Sequence, residues 1–264
     1  MTLDDDIALI QHLADAAGHV IRPLFRAQVA VETKADASPV TRADKAAETA
    51  IRELLRQHRP HDGIIGEEHA STNAGASRLW VIDPIDGTRA FISGRPLFGT
   101  LIALLIDGTP VLGVIDQCII GDRWLGAKGR PTTLGGQPIT TRRCPSLAQA
   151  RLGTTSPHAF TAPDFAAFSR VQAQASDILY GGDCHNYGLV AAGHLDGVVE
   201  ASLKLHDWAA LVPIIEGAGG RVTDWQGQSL TPESNGQVLA VGDPALTAEI
   251  AEILCPTGPE SATV

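Results

Sequence analysis

The chain has 264 residues, of which 44% are hydrophobic and 19% charged, a composition typical of globular proteins with a buried core. Its formal net charge of −10 argues against a nucleic-acid backbone as the main partner, because polyanions bind basic surfaces. The acidic start Asp4-Asp5-Asp6 and a longest apolar run of only Leu97–Ile106 predict neither a signal peptide nor a membrane span. With four scattered cysteines, we expect a cytoplasmic protein with reduced thiols.

The first half of the chain predicts two helices followed by short strands. Apolar residues recur at helical spacing over residues 3–26 and 42–57, which indicates amphipathic helices. The runs Ile64-Ile65 and Leu79–Ile82 each lead into carboxylates and are typical of strands buried on both faces. Residues 100–128 predict a β-meander.

The second half predicts an alternation of helices and strands. A Gly- and Pro-rich stretch, 129–145, indicates a boundary between an N-terminal α+β lobe (1–143) and a C-terminal α/β lobe (144–256). Residues 257–264 are predicted to be a disordered tail. In the second lobe we predict helices at 163–175, 184–193, 207–217 and 245–254, and strands at 178–181, 197–202 and 238–241. The fold class is therefore mixed α/β.

Acidic residues stand in three segments where predicted elements end or begin. The segments are Gly66-Glu67-Glu68, Asp83-Pro84-Ile85-Asp86-Gly87-Thr88 and His206-Asp207-Trp208-Ala209. Hard cations such as Mg²⁺ take oxygen ligands, so these carboxylates could converge on one metal cluster. In the second segment the proline restricts the turn and lets both acids face one point. Gly87 permits close backbone approach, and Thr88 can begin a helix whose N–H groups bind phosphate.

Most of these features also have a plainer structural interpretation. Glu67-Glu68 alone is typical of a solvated surface pair, and Asp207 before an amphipathic helix is typical of an N-cap. Asp44 fits a capping box in Thr41-Arg42-Ala43-Asp44. The segment Asp83–Thr88 is the exception, because two acids, a proline, a glycine and a threonine after an apolar strand are hard to explain as a turn alone.

Asp83–Thr88, preceded by Trp80-Val81-Ile82, resembles the signature of the inositol monophosphatase family. Gly66-Glu67-Glu68 lies at the expected distance upstream. Asp207-Trp208-Ala209-Ala210 and the later Glu216–Gly220 resemble the family's C-terminal signature, and the resemblance extends over residues 5–254. It implies an α-β-α-β-α layered sandwich, usually assembled as a homodimer.

The resemblance also implies an activity, that of a phosphomonoesterase using two or three Mg²⁺ ions per active site, with Mn²⁺ as a substitute. The implied metal ligands are Glu67, Asp83, the Ile85 carbonyl, Asp86 and Asp207. The implied catalytic residues are Asp44, Thr88 and Glu67, of which Asp44 and Thr88 orient and deprotonate the attacking water. Phosphate is implied to bind Gly87, Thr88 and Arg89. Such a site hydrolyses by direct in-line attack of water.

The substrate is indicated by the segments Gly87–Pro96 and Phe98–Leu104, which resemble the histidinol-phosphate phosphatase branch of the family. Asp183 and Glu200 fall where related enzymes contact the alcohol, and two acids suit the ammonium and imidazole of L-histidinol phosphate. Asp183 as a helix N-cap and Arg89 as a solvent-facing arginine remain alternatives.

Three other functions stay open at this point. Inositol 1-phosphate or 3′-phosphoadenosine 5′-phosphate could be the substrate on the same scaffold. A nucleotide would favour more aromatic residues than the 5% present. A non-catalytic phosphate-binding regulatory protein is the third, and its mark would be a lost metal ligand. His206 precedes Asp207, and we assign it no catalytic role.

Overall fold

The computed structural model describes residues 2–27, 31–33 and 39–256, so the predicted disordered tail lies outside the described residues. The α-helices of the described part are α1 (Leu3–Ile21), α2 (Arg42–His58), α3 (Thr88–Ile92), α4 (Ala162–Gln172), α5 (Cys184–Ala191), α6 (Leu205–Trp208), α7 (Leu211–Gly217) and α8 (Leu246–Leu254). Its strands are β1 (Val31–Thr33), β2 (Pro39–Thr41), β3 (Gly63–Gly66), β4 (Arg78–Asp86), β5 (Gly99–Ile106), β6 (Thr109–Gln117), β7 (Asp122–Ala127), β8 (Thr133–Leu134), β9 (Gln137–Pro138), β10 (Arg151–Thr154), β11 (Asp177–Tyr180), β12 (Gly197–Glu200), β13 (Arg221–Thr223) and β14 (Val238–Val241).

Two large sheets organise the chain. The first has seven strands in the order β3-β4-β5-β6-β7-β8-β9, and only the β3–β4 pair in it is parallel. The second has five strands in the order β11-β10-β12-β14-β13, with β10 parallel to both of its neighbours. The parallel pair β3–β4 brings Glu67, which follows β3, close to Asp83, which lies next to Ile82 within β4.

The helices and sheets alternate in five layers. Helices α1 and α2 pack on one face of the seven-stranded sheet. Its other face packs on α5, α6 and α7, which also cover the five-stranded sheet. Helices α4 and α8 close the far face of that second sheet. The α-β-α-β-α sandwich expected from the sequence resemblance is confirmed.

Strand β4 shows why both faces of the first sheet are covered. Successive side chains of a strand point to opposite faces, and here both sets are apolar. Trp80 and Ile82 pack with α1 and α2, whereas Leu79 and Val81 pack with the central helices. The prediction of a strand buried on both faces is therefore confirmed for Leu79–Ile82.

Two predicted helices differ from the structure. The helix predicted over 3–26 ends at Ile21 and is followed by a short 3₁₀ turn, where Pro23 lacks the N–H that continued helix would need. The helix predicted over 207–217 is two helices, α6 and α7, which break at Ala209 and Ala210. The predicted lobe boundary at 129–145 contains β8 and β9, which extend the first sheet.

The break between α6 and α7 coincides with a close contact to the sheet. A Cβ at Gly113 would lie 2.2 Å from the Ala210 carbonyl oxygen, and one at Gly126 would lie 2.3 Å from that of Pro213. Two strand glycines therefore let the α6–α7 backbone touch the sheet directly. This contact fixes the segment that carries Asp207.

Candidate active site

The sequence predicted that the strand ends at Ile82, but strand β4 continues to Asp86. Its pairing with β5 shifts register between Asp83 and Asp86, so the expected turn is a bulged continuation of the strand. The Thr100 hydroxyl donates to the Pro84 carbonyl at 2.8 Å, and Asp83 Oδ1 accepts the Ile85 N–H at 3.0 Å. The bulge changes the simple alternation of side chains and is held by hydrogen bonds within the sheet.

The other two acidic segments reach the same place from different elements. Glu67 follows β3, and its N–H donates to the Ile82 carbonyl at 3.2 Å. Asp207 lies in the first turn of α6 and accepts the Lys204 N–H at 2.6 Å. Lys204, not Asp207, is the N-cap residue, so the N-cap interpretation of Asp207 is wrong.

The carboxylates converge as the sequence had suggested. Oxygen atoms of Asp83, Asp86 and Asp207 all lie within 4.8 Å of one another. A second group with the same mutual spacing joins Glu67 and Asp83 to a ring nitrogen of His206. Both groups share Asp83, whose side chain is almost fully buried.

Burial and mutual repulsion make this cluster a candidate cation site. Burial, followed by the charges of Glu67, Asp86 and Asp207, raises the pKa of Asp83 well above its usual value. Burial and the charges of Asp183 and Asp207 do the same to Asp86. Positive charge acts on the cluster at Asp207, whose pKa is raised by burial against the lowering effect of His206 and Lys204, whereas no basic group is among the main causes that shift the pKa of Asp83 or Asp86. A divalent cation, which favours carboxylate oxygens, would neutralise this charge, so the residues present fit a metal.

Asp44 and Thr88 form a pair beside the cluster. The Thr88 hydroxyl lies 3.3 Å from Asp44 Oδ1 and 3.1 Å from the Ile85 carbonyl oxygen. Asp44 Oδ2 accepts both the N–H and the hydroxyl of Thr41, at 2.8 and 2.6 Å. The predicted capping box is therefore confirmed, yet Asp44 Oδ1 still faces Thr88. Burial raises the pKa of Asp44 against the lowering effect of the Thr41 bonds, which suits a proton acceptor.

Gly87 and Arg89 occupy the start of α3. Gly87 has a φ of 90°, a left-handed conformation in which a side chain would be strained. A Cβ there would also lie 3.0 Å from Asp183 Cγ. The Arg89 side chain is exposed, and its charge lowers the pKa of Asp183. Arg89 is thus close to the site electrostatically while it remains accessible to solvent.

Asp183 and Glu200 line one small cavity together with two acids of the carboxylate cluster. The cavity has a volume of about 110 Å³, and its wall includes Asp86, Asp183, Glu200 and Asp207. Asp183 occupies the N-cap position of α5, as the N-cap alternative had it, but its side chain makes no capping hydrogen bond to the helix. Burial and the charges of Glu200 and Asp207 raise the pKa of Asp183 to about 7. Larger cavities, of about 850 and 570 Å³, contain none of these acids, and the chemistry points to the small one.

Sequence reasoning missed two residues at this site. His206, to which we assigned no role, places a ring nitrogen beside Glu67 and Asp83. Tyr187 donates from its hydroxyl to Glu200 Oε2 at 2.8 Å, while the Thr155 N–H donates to Oε1 at 2.8 Å. His206 could have been noticed as the neighbour of Asp207, whereas no local signal links Tyr187 to Glu200.

Comparison with known proteins shows which family the chain belongs to. Residues 3–257 match the profile described as "Inositol monophosphatase family". The chain belongs to the inositol monophosphatase family. The inositol monophosphatase family is a metal-dependent phosphatase family whose members act on small phosphate esters.

Two curated relatives and one solved structure illustrate the similarity. The chain is 49% identical over 240 residues to the chloroplastic bifunctional phosphatase IMPL2 of Arabidopsis thaliana, covering 90% of this chain and 69% of that one. It is 34% identical to the histidinol-phosphatase of Chlorobaculum parvum, covering 89% and 92% of the two chains. A solved inositol monophosphatase from Zymomonas mobilis is 52% identical, with a TM-score of 0.89 over 96% of this chain and 99% of that one.

Two other features of the described structure concern the cysteines and the helices. The four cysteines are free thiols. In residues 2–27, 31–33 and 39–256, every helix is too short or too polar to cross a bilayer.

Proposed function

We propose that the chain is a Mg²⁺-dependent phosphomonoesterase that hydrolyses L-histidinol phosphate to L-histidinol and phosphate, a step of histidine biosynthesis. The observation that supports this most is the shared cavity, in which Asp86 and Asp207 line the same wall as Asp183 and Glu200. Acids suited to a metal ion and acids suited to a cationic alcohol therefore lie together. The histidinol-phosphatase of Chlorobaculum parvum among the relatives adds support.

The metal-holding residues in this proposal are Glu67, Asp83, the Ile85 carbonyl, Asp86 and Asp207. Two or three Mg²⁺ ions would bind them, and Mn²⁺ would substitute. When bound, the metal supplies Lewis-acid stabilisation of the charge that develops on the attacking and leaving oxygens. Glu67 would be both a ligand and a catalytic residue, because its carboxylate lies with that of Asp83 in a group that could hold a metal ion.

Asp44 and Thr88 would handle the proton of the attacking water. The water donates to Thr88 Oγ1, and the Thr88 hydroxyl donates in turn to Asp44 Oδ1, which lies 3.3 Å away. Proton transfer along this pair to Asp44 would leave a hydroxide that attacks phosphorus in line with the ester oxygen. As the new P–O bond forms, the P–O bond of the ester breaks, and the leaving alcohol oxygen takes a proton from a solvent water. General-base assistance of this kind contributes about 10²- to 10⁴-fold.

Phosphate and alcohol would be held at neighbouring points. The N–H groups of Gly87 and Thr88, with the Arg89 guanidinium, would bind the phosphate oxygens. Asp183 and Glu200 would bind the ammonium and imidazole of histidinol. Burial and the charges of Glu200 and Asp207 raise the pKa of Asp183, and burial raises the pKa of Glu200. A cationic substrate group would therefore be favoured there over a neutral sugar hydroxyl.

A second candidate substrate is inositol 1-phosphate. The observation in its favour is the 52% identity to a solved inositol monophosphatase from Zymomonas mobilis. The same metal and phosphate residues would serve both esters, because they act on the phosphoryl group alone. The two substrates differ only in what Asp183 and Glu200 contact.

Assembly and location complete the proposal. We expect a homodimer in the cytoplasm, although the Arabidopsis relative is chloroplastic. Light scattering on the purified chain tests the first point, and a mass of one subunit would contradict it.

The deciding experiment is phosphate release from L-histidinol phosphate, inositol 1-phosphate, 3′-phosphoadenosine 5′-phosphate and glycerol 2-phosphate, each with Mg²⁺ and with EDTA. We expect metal-dependent turnover with a preference for histidinol phosphate of about tenfold or more, which corresponds to about 1.4 kcal/mol. Preference for inositol 1-phosphate would replace the substrate while keeping the mechanism. No hydrolysis of any ester would make the chain a non-catalytic phosphate-binding protein.

A further inference from the structure

Helix α2 carries a second acid on the face that holds Asp44. Glu48 lies one helical turn after Asp44 and, like it, is fully buried at 0% exposure. A buried glutamate needs partners, because transfer of a charge out of water is costly. The partners of Glu48 lead directly to the loop that carries Glu67.

The carboxylate of Glu48 accepts backbone hydrogen bonds from that loop. Its Oε2 accepts the Glu68 N–H at 2.7 Å, and its Oε1 accepts the His69 N–H at 3.3 Å. The next turn of the helix supplies the balancing charge, since Arg52 Nε donates to Glu48 Oε1 at 2.6 Å. Arg52 also donates to the His69 carbonyl at 3.2 Å. The Glu48–Arg52 pair therefore holds the loop through hydrogen bonds to backbone N–H groups and to a backbone carbonyl.

Gly66 shows that the fit is tight. A Cβ on Gly66 would lie 2.0 Å from Glu48 Oε1 and 2.4 Å from its Cδ. The carboxylate thus occupies the space that any other residue at position 66 would fill. On the far side, the Glu67 N–H is bonded to the Ile82 carbonyl of β4. The backbone of Glu67 is therefore fixed between β4 and Glu48.

We propose that Glu48 is a positioning residue that sets the affinity of the carboxylate cluster for a divalent cation by holding the Gly66–His69 loop. This inference rests on the proposed metal-dependent function. Groups that orient metal ligands without touching the ion commonly change metal affinity about 10- to 100-fold when removed. Glu48 does not line the small cavity, and its carboxylate accepts hydrogen bonds from the Glu68 and His69 N–H groups and from Arg52, so its effect would pass through the loop.

The test measures cation binding directly, without substrate. Mn²⁺ binding to the purified chain is followed by electron paramagnetic resonance, and Mg²⁺ binding is followed by calorimetry. Glu48→Asp keeps the charge beside Arg52 but shortens the reach to the loop. We expect its cation affinity to fall about tenfold or more, while kcat at saturating Mg²⁺ stays within about threefold of the wild type.

Glu53→Gln is the matched control, because Glu53 lies on the exposed face of the same helix and pairs with Arg56. Its cation affinity should equal that of the wild type. Equal affinity of Glu48→Asp and the wild type would overturn the proposal. A Glu48→Asp protein whose kcat stays low at any Mg²⁺ concentration would also overturn it, since the damage would not lie in metal binding.

Gly66→Ala covers the case in which Glu48→Asp fails to fold. The added methyl group displaces the flexible end of Glu48 and leaves the Glu48–Arg52 charges in place. It should weaken Mn²⁺ binding about as much as Glu48→Asp, and unchanged binding would overturn the proposal. A wild-type chain that binds no cation would instead refute the metal-dependent function itself, so the two failures are distinct.

Discussion

Strand β4 has a group of buried acids at each end, and the two groups are built differently. At its start, Asp6 accepts from Arg59 Nη2 at 2.9 Å and from Arg78 Nη2 at 2.8 Å. Asp62 accepts from Arg78 and from the Trp80 indole, at 3.3 and 2.9 Å. Each of these two carboxylates accepts from side-chain donors of the chain. The group therefore links α1 to β4 and to Arg59, the residue that follows α2.

At the other end of β4, Asp83 and Asp86 face other acids. The pKa values of Asp83 and Asp86 are raised by burial and by neighbouring negative charge. Asp6, whose side chain is as buried as that of Asp83, lies between two arginines. The difference shows how a structural acid is told from a binding acid. A carboxylate that is neutralised by arginine within the chain stabilises the fold. A carboxylate that faces other carboxylates, as Asp83 and Asp86 do, is a candidate to bind a cation.

The largest effect on this contrast is expected from Asp6→Asn. Removal of the charge leaves two partly buried guanidinium groups with one counter-charge fewer, which lowers the free energy of unfolding by about 3 kcal/mol. Denaturant unfolding measures this loss. Asp15→Asn on the same helix is the control, because Asp15 is half exposed in its pair with Arg123 and should cost less than about 1 kcal/mol. Equal losses in both variants would contradict the distinction.

Asp86→Asn should behave in the opposite way. Metal-dependent phosphate release should fall about a hundredfold or more, equivalent to about 2.7 kcal/mol. In EDTA, however, the variant should be at least as stable as the wild type, because one repelling charge is gone. Steady-state assays and thermal unfolding check the two halves. Full activity of Asp86→Asn would remove Asp86 from the metal site.

Thr88→Ala tests the proton path beside the unneutralised group. Loss of the hydroxyl next to Asp44 should lower kcat at least about tenfold, or about 1.4 kcal/mol, with little change in KM. Thr88→Ser keeps the hydroxyl and should retain most of the activity. If Thr88→Ala and Thr88→Ser are equally active, the hydroxyl has no part in activating water.

The smallest expected effect is one of selectivity. Asp183→Asn removes a charge that would meet the substrate cation, so kcat/KM for L-histidinol phosphate should fall about fivefold more than for glycerol 2-phosphate, or about 1 kcal/mol. Glycerol 2-phosphate is the internal control because it carries no cation. Equal losses on both esters would discard the ammonium contact.

Much of this arrangement could be predicted from the sequence, because local patterns govern it. The apolar run Leu79–Ile82 predicted a doubly buried strand, and the spacing of acids after it predicted convergence with Glu67. Thr41 and Asp44 predicted a cap that is present. Both the strand and the cap depend on residues that are close together in the sequence, so the local pattern is enough to predict them.

The rest depends on contacts between distant segments. The bulge after Asp83 is fixed by Thr100 on the next strand, and the break before α7 is fixed by Gly113 and Gly126. Neither partner is visible in the local pattern. Glu48 had a local signal that was overlooked, since it lies on the same helical face as Asp44 and next to the apolar stripe of Ala47 and Ile51.

The most direct test of the contrast is thermal unfolding of the wild-type chain in EDTA and over a Mg²⁺ titration, beside Asp86→Asn. A ligand at one hundred times its Kd stabilises the folded state by about 2.7 kcal/mol, which for a chain of this size raises Tm by about 5 °C or more. The wild type should show this rise, and Asp86→Asn should not. A wild-type Tm that is the same in EDTA and at every Mg²⁺ concentration would contradict the proposal that the acids at this end of β4 form a cation site.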